Sequence, residues 1–126
     1  TQEIRNNGFT PGVWLAPFIV HRKSDLFQNH PEWILRERNG KPVNAGFVWN
    51  SLGAALDLTH PDAMQYVRDV IQTAVQDWDF PYLKLDFLYA AALPGHYRDE
   101  TKTRAQVLRE GLEVIRESAG KKTYLV

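Results

Sequence analysis

Lys84 and Asp86 stand two positions apart in the segment 82–87, YLKLDF, whose other residues are apolar. This alternation is typical of a β-strand, and a strand turns successive side chains to opposite faces, so both charged groups share one face about 7 Å apart. A neighbouring ammonium group keeps a carboxylate ionised, and an ionised carboxylate can act as a nucleophile or as an electrostatic stabiliser. The alternative is an exposed ion pair on an edge strand, which contributes under about 1 kcal/mol to stability.

Trp14 lies in a second strand-like segment, VWLA at 13–16, on the face equivalent to that of the two charged groups. Its indole can stack on the apolar face of a sugar ring and donate one hydrogen bond. Trp49 lies in a loop region at the same end of the strands, and of the loop aromatics it is the best candidate to contact a ligand. Core packing is the alternative for Trp14 and the preferred interpretation for Trp33 and Trp78.

The remaining titratable side chains do not indicate a second site. The four histidines, at positions 21, 30, 60 and 96, lack the spacing to one another and to carboxylates that a metal site needs, so we expect no metal and no other cofactor. Asp57 is better explained as a capping or loop hydrogen-bond acceptor than as a second catalytic acid. Arg109, Glu113 and Arg116 predict a solvated ion-pair surface on the last helix.

Composition restricts the classes of partner. The chain has 126 residues, 44% hydrophobic and 12% aromatic, which is typical of one globular domain. Fifteen basic and fifteen acidic residues cancel, so no nucleic-acid or anionic-membrane partner is expected. No apolar run approaches the roughly 20 residues that cross a bilayer, and the absence of cysteine excludes disulfides. We expect a soluble chain whose compartment is left open, with the cytoplasm as the default.

Strand-like and helical segments alternate along the chain. Strands are predicted at 13–16, at 82–87 and from about 123, and a helix is predicted from a Thr59 cap to about Trp78. Alternation of this kind predicts parallel strands with right-handed crossovers. The last helix has an apolar stripe that we expect to cover the sheet, consisting of Ala105, Leu108, Leu112, Ile115 and Ala119.

A long excursion at about 19–58 follows the first strand. It contains a short helix that Ser24 can cap, a tight turn at Asn39 and Gly40 between two strand-like arms, and a strand-like run at 53–58. We interpret the excursion as one long βα loop.

Three main strands cannot close a parallel barrel, which takes about eight. No glycine-rich phosphate-binding motif follows any strand, which argues against a nucleotide-binding open sheet. We therefore predict an α/β fold, a single incomplete (β/α)8 TIM barrel over 1–126. Because the chain starts at Thr1 without an initiator Met and stops in an apolar strand, we expect it to be cut from a longer protein. Inside a barrel, Lys84 and Asp86 would lie near the carboxyl end of their strand, where active sites of this fold lie.

Several segments together resemble one family. They are 12–18 (GVWLAPF), 30–33 (HPEW), 56–58 (LDL) and above all 83–90 (LKLDFLYA), which continues through LPG at 93–95. They resemble the retaining α-galactosidases of glycoside hydrolase family 36, the melibiase-like group, over nearly the whole chain. The resemblance implies a (β/α)8 barrel, of which this chain spans about strands 3 to 5, and hydrolysis of terminal α-galactosides.

The resemblance also assigns roles to site residues. It implies that Asp86 is the catalytic nucleophile, that Lys84 binds galactose hydroxyls and that Trp14 lines the galactose pocket. Retaining enzymes need a second carboxyl group about 5–5.5 Å from the first, and the family places it beyond Val126. We therefore expect the chain alone to be inactive, and its open strand edges to drive formation of a homo-oligomer.

Two other classes of function stay open. A non-catalytic half barrel or a carbohydrate-binding module would keep the apolar helix stripes without turning over a galactoside. A Schiff-base enzyme would use Lys84, since a lysine buried inside a barrel can have a lowered pKa. The natural galactoside and its leaving group are not determined by these residues.

Overall fold

The computed structural model of the chain describes residues 1–48 and 50–126. In chain order its helices and strands are α1 (Gln2–Asn6), β1 (Gly12–Leu15), β2 (Ile19–His21), α2 (Asp25–Asn29), β3 (Asn44–Val48), β4 (Ser51–Ala55), α3 (Pro61–Gln72), β5 (Tyr82–Leu85), α4 (Arg104–Ala119) and β6 (Tyr124–Leu125). Short 3-10 helices lie at Pro31–Trp33 and Leu88–Ala92, and a π-helical turn at Thr73–Asp77 extends α3.

The three strands predicted from the sequence form one parallel sheet in the order β1-β5-β6. Trp14 of β1 lies opposite Lys84 of β5 in the register. Since β5 pairs on both sides, β1 and β6 are the edge strands of this parallel sheet. The expected alternation of strands and helices is therefore confirmed.

The excursion forms a second sheet, which is antiparallel and has the order β2-β4-β3. A turn is present at the predicted place, because the N–H of Gly40 donates to the Glu37 carbonyl at 2.9 Å. Its central residues are Arg38 and Asn39, and of the predicted pair only Gly40 has a positive φ, 83°. Strands β2 and β3 were not predicted. In β3 the sequence NAGFV has no clear alternation, and its register shifts between Asn44 and Phe47 at a glycine with a φ of 110°.

Helix α3 begins differently from the expectation. The predicted cap, Thr59, instead directs its hydroxyl to the Asp57 carboxylate. The cap is His60, whose Nδ1 accepts a hydrogen bond from the N–H of Asp62 at 3.2 Å, and Pro61 occupies the first helical position. Asp57 therefore binds the Thr59 side chain that was expected to cap the helix, and His60 is the cap instead.

Helix α4 buries only part of the stripe that its apolar residues predict, Ile115 and Ala119 in full and Leu108 in part. Ala105 and Leu112 are exposed, and the buried residues of the helix are Val107, Gly111, Ile115, Ser118 and Ala119. The reason is a close contact at Gly111, where an added Cβ would lie 2.8 Å from a Leu58 methyl group and 2.9 Å from the Phe18 ring. A glycine adds nothing to an apolar count, so this packing face was not visible in the pattern.

The buried side of the parallel sheet faces these helices. Leu83 of β5 is fully buried and belongs to one apolar cluster with Val67 and Ile71 of α3 and Ile115 of α4. Because successive side chains of a strand alternate, Lys84 and Asp86 lie on the opposite face. Among the described residues, no helix combines the length and apolar character that a bilayer crossing requires.

Candidate functional site

Asp86 lies directly after β5, at the carboxyl end of the parallel sheet. Its backbone N–H donates to the Leu15 carbonyl at 2.9 Å, which ties it to the carboxyl end of the neighbouring strand β1. The excursion and the 3-10 helix Leu88–Ala92 both leave the sheet at this end. The residue therefore lies where loops that follow parallel strands form binding sites.

Each oxygen of the Asp86 carboxyl group accepts a hydrogen bond. The indole Nε1–H of Trp14 donates to Oδ2 at 3.1 Å, and the backbone N–H of Phe87 donates to Oδ1 at 2.9 Å. Trp14 can reach the carboxylate because it lies on the neighbouring strand β1, opposite Lys84. Lys84 precedes Asp86 by two positions, so all three side chains lie on the same face of the sheet. The structure thus brings together three of the predicted site residues, Trp14, Lys84 and Asp86.

These contacts hold the pKa of Asp86 below its ordinary value of 3.8. The main cause is the hydrogen bond from Trp14, followed by the backbone N–H of Phe87, with a smaller contribution from the positive charge of Lys84, while partial burial acts in the opposite direction. The carboxyl group is therefore ionised at neutral pH, which is the state that a nucleophile requires.

Trp14→Phe should raise the pKa of Asp86 toward its ordinary value, because the ring is kept and the indole donor is lost. A depressed pKa stabilises the fold above the unfolded-state pKa, and this stabilisation is lost as the pH falls through the folded-state pKa. In the variant, that loss should occur at higher pH. A ¹³C NMR titration of the carboxyl group measures the pKa. Trp78→Phe is the matched control, and an equal pKa in both variants would contradict the assignment of the Trp14 contact.

Phe87 has a backbone conformation that its residue type disfavours. Its φ is 54° and its ψ is 30°, in the left-handed region, where a bulky side chain costs about 1–3 kcal/mol. Its ring lies edge-to-face between two others, with centroids 6.1 Å from Trp14 and 6.3 Å from Tyr89. The hydroxyl of Tyr89 donates to the Ala45 carbonyl of β3 at 2.6 Å.

Phe87 and the hydroxyl contact of Tyr89 were not identified from the sequence. The only available signal is that aromatic residues follow Asp86 directly, in the run DFLY. Nothing in that run indicates a positive φ at Phe87. Nor does it indicate that Tyr89 contacts Ala45 of β3, which lies 44 positions earlier. The contact of Tyr89 depends on the placement of the excursion beside the parallel sheet.

The other predicted residues divide into those near this site and those outside it. Lys84 is exposed, because the inner face of the three-stranded sheet is open to solvent, and its enclosure was expected only inside a complete barrel. Trp49, predicted to contact a ligand, lies outside the described residues.

Asp57 is buried and accepts three hydrogen bonds within the chain, so the prediction of a loop acceptor is confirmed. Trp33 packs, stacked on His30 with centroids 3.8 Å apart, whereas Trp78 is half exposed.

Histidine and carboxylate side chains do not gather around a common point in the part of the chain that the structure describes. No group of three or more His, Asp or Glu residues there could hold a metal ion. His60 caps α3, and Arg109 and Glu113 form the predicted ion pair on α4 at 2.9 Å. Among the described residues, the site consists of one carboxylate with a hydrogen-bond donor on each oxygen.

Comparison with known proteins gives a consistent result. The profile of the family described as Melibiase matches residues 1–115. An A type blood α-D-galactosamine galactosaminidase of Flavonifractor plautii is 30% identical over 126 residues, which cover 91% of this chain and 12% of that protein. An α-galactosidase of Geobacillus stearothermophilus is 28% identical over 109 residues, which cover 82% of this chain and 14% of that protein.

Solved structures share the fold. An α-galactosidase of Thermus thermophilus, in complex with p-nitrophenyl α-D-galactopyranoside, matches with a TM-score of 0.84 and 40% identity over 98% of this chain and 24% of that chain. The same enzyme has been solved with stachyose. The parallel sheet and its helices are thus part of a (β/α)8 barrel, as predicted. The chain spans only about an eighth of the length of the two curated relatives.

Proposed function

Because this chain belongs to the melibiase family, we propose that it supplies the nucleophile strand of a retaining glycoside hydrolase that removes terminal α-galactosyl groups. One observation carries the proposal. Asp86 is an ionised carboxylate at the carboxyl end of β5, with one hydrogen-bond donor on each oxygen. The complexes of the Thermus enzyme with an aryl α-galactoside and with stachyose support a galactoside as the substrate class.

The proposed reaction is a double displacement. A carboxylate oxygen of Asp86 attacks the anomeric carbon, the bond from that carbon to the leaving oxygen breaks, and a β-linked galactosyl-enzyme forms. A second carboxyl group, outside this chain, gives its proton to the leaving oxygen. In the second step it takes a proton from water, whose oxygen displaces Asp86 and restores the α configuration.

The neighbouring side chains have proposed roles in binding the sugar. The ammonium group of Lys84 lies on the same face as Asp86 and can donate hydrogen bonds to sugar hydroxyls. The N–H of Trp14 is already bonded to the carboxylate, so its contact with galactose is through the indole ring. Trp49 keeps its proposed role as a ligand-contacting aromatic. The 126 residues alone should show negligible turnover, because loss of general acid catalysis costs about 10²–10⁴-fold.

The proposal is tested by replacing the matching segment of the Thermus α-galactosidase with residues 1–126, which gives the grafted enzyme. The grafted enzyme should hydrolyse p-nitrophenyl α-galactoside with retention. Its Asp86→Gly variant should be inactive in buffer but should react with added azide, which can enter the face that the carboxylate occupied. Attack from that face gives β-galactosyl azide. A folded but inactive graft, or an α-configured azide product, would overturn the proposal.

The chain by itself is expected to self-associate. Among the described residues, β1 and β6 are the outer strands of the parallel sheet, and apolar side chains at the β6 edge are exposed, Tyr124 by 70% and Val126 by 64%. Pairing of two copies through these edges would cover both features. Light scattering at micromolar concentration should therefore detect a dimer or larger species, and a monodisperse monomer would contradict this expectation.

The alternative functions make different predictions. A carbohydrate-binding module would bind galactose in calorimetry but would give an inactive graft. A Schiff-base enzyme would form a borohydride-trapped adduct with a carbonyl substrate at Lys84. That chemistry calls for a buried lysine, whereas Lys84 is exposed in this structure. No contact of the described residues favours either alternative over the hydrolase.

A further inference from the structure

We propose that Tyr89 is a positioning residue for Asp86. Its hydroxyl binds β3 of the excursion sheet and its ring supports Phe87, whose backbone N–H binds the Asp86 carboxylate. The excursion sheet would thereby set the orientation of the nucleophile, although it belongs to a different sheet from β5. The geometric part of this proposal is independent of the function proposed above, and the kinetic part rests on it.

The N–H of Phe87 donates to Oδ1 of Asp86 at 2.9 Å, and it lies in the peptide plane that joins the two residues. The Asp86 end of that plane is held by the hydrogen bond to the Leu15 carbonyl, and the Phe87 end has a left-handed backbone. A phenylalanine adopts such a conformation only where its surroundings enforce it. If Phe87 moved to relieve this conformation, the peptide plane between Asp86 and Phe87 would tilt and its N–H would turn away from the carboxylate. The orientation of the Asp86 carboxylate therefore depends on whatever holds Phe87.

The rings of Trp14 and Tyr89 contact the ring of Phe87 edge-to-face, with interplanar angles of 85° and 90°. Trp14 is on β1 and also donates to Asp86, so it belongs to the site itself. Of these two rings, Tyr89 is the one whose hydroxyl connects Phe87 with the excursion sheet.

The hydroxyl of Tyr89 donates to the Ala45 carbonyl at 2.6 Å. The next residue is Gly46, where an added Cβ would lie 3.1 Å from the hydroxyl oxygen of Tyr89. Tyr89 is 49% exposed, so its ring buries little apolar surface and is not a core residue. A half-exposed tyrosine with a short hydrogen bond across 44 positions of sequence is better explained by positioning than by core stability.

The test is a ¹³C NMR titration of Asp86 in Tyr89→Phe, which removes the hydroxyl and keeps the ring. The pKa of Asp86 should rise, because the Phe87 N–H would bind the carboxylate for a smaller fraction of the time. Tyr97→Phe is the matched control, since its hydroxyl also donates to a backbone carbonyl at 2.6 Å, that of Leu93. It should lower the melting temperature at least as much and leave the pKa unchanged. Equal pKa values in the two variants would overturn the proposal.

A second comparison uses Phe87→Gly, in which glycine adopts the left-handed conformation without strain and has no ring for Tyr89 to support. Adding Tyr89→Phe to this variant should leave the pKa of Asp86 unchanged, because the path between the two residues is interrupted. If Tyr89→Phe has the same effect in both backgrounds, Tyr89 does not act through Phe87 and the proposal is wrong.

The kinetic consequence is measured in the grafted enzyme. Tyr89→Phe should lower kcat about three- to tenfold with KM for p-nitrophenyl α-galactoside within about twofold, because orientation of a nucleophile affects the transition state more than substrate binding. An unchanged kcat would contradict positioning. The two proposals fail separately: activity that survives loss of the Asp86 carboxylate rejects the hydrolase mechanism, whereas an unmoved pKa in Tyr89→Phe rejects only the role of Tyr89.

Discussion

Asp86→Asn in the grafted enzyme should lower kcat for p-nitrophenyl α-galactoside by roughly 10³-fold or more, the scale expected when a covalent nucleophile is removed. The amide has nearly the shape of the carboxylate, and its oxygen can still accept one hydrogen bond. It cannot attack the anomeric carbon as an anion, so the galactosyl-enzyme does not form. Initial rates and intact-protein mass spectrometry after rapid quenching measure turnover and the covalent intermediate.

Asp99→Asn is the matched control for this prediction. Asp99 is also half-buried, and hydrogen bonds from the side chain and backbone of Thr101 likewise hold its pKa below the ordinary value. A lowered pKa alone is therefore not evidence of catalysis, and this variant should retain activity within about twofold. Comparable losses in the two variants would show that the effect at Asp86 is not specific to its position.

Asp57→Ala should destabilise the fold by about 2–4 kcal/mol, the largest effect on stability that we expect from a single side chain. Asp57 is 4% exposed, and its oxygens accept from the N–H of Thr59 at 2.9 Å, the hydroxyl of Thr59 at 2.6 Å and the N–H of Arg98 at 2.7 Å. These contacts connect the end of the excursion with the loop before α4. Alanine would leave all three donors without this acceptor in a region from which water is largely excluded.

Equilibrium unfolding in urea at neutral pH measures this change in the free energy of unfolding. Asp57→Asn should lose less stability, because its amide oxygen still accepts from Thr59 while its NH₂ group cannot accept from Arg98. Asp69→Ala, at an exposed carboxylate on α3 that accepts a hydrogen bond from the Gln65 side chain, should change stability by no more than about 0.5 kcal/mol. If Asp57→Ala unfolds at the same urea concentration as Asp69→Ala, the three hydrogen bonds do not stabilise the fold.

Local pattern was sufficient for the residues whose role follows from strand periodicity. Alternation in the segment 82–87 placed Leu83 against the helices and Lys84 and Asp86 on the other face, and the structure has this arrangement. Turn chemistry was equally informative at Gly40 and at the Ser24 cap of α2, where the side chain accepts from the Phe27 N–H. Each of these features depends on interactions within a few positions of the chain.

Contacts between distant segments were decided by the tertiary structure. Two hydrogen bonds depend on which loops lie beside one another. They are the bond from the Tyr89 hydroxyl to the Ala45 carbonyl and the bond from the Arg98 N–H to the Asp57 carboxylate. The sequence alone determined the alternating architecture, the family resemblance and the face that carries the carboxylate, because period-two and helical patterns are properties of contiguous residues. Only the tertiary structure decided which groups hold that carboxylate, because the Trp14 indole that donates to it lies 72 positions earlier in the chain, and contacts between remote residues have no signature in local sequence.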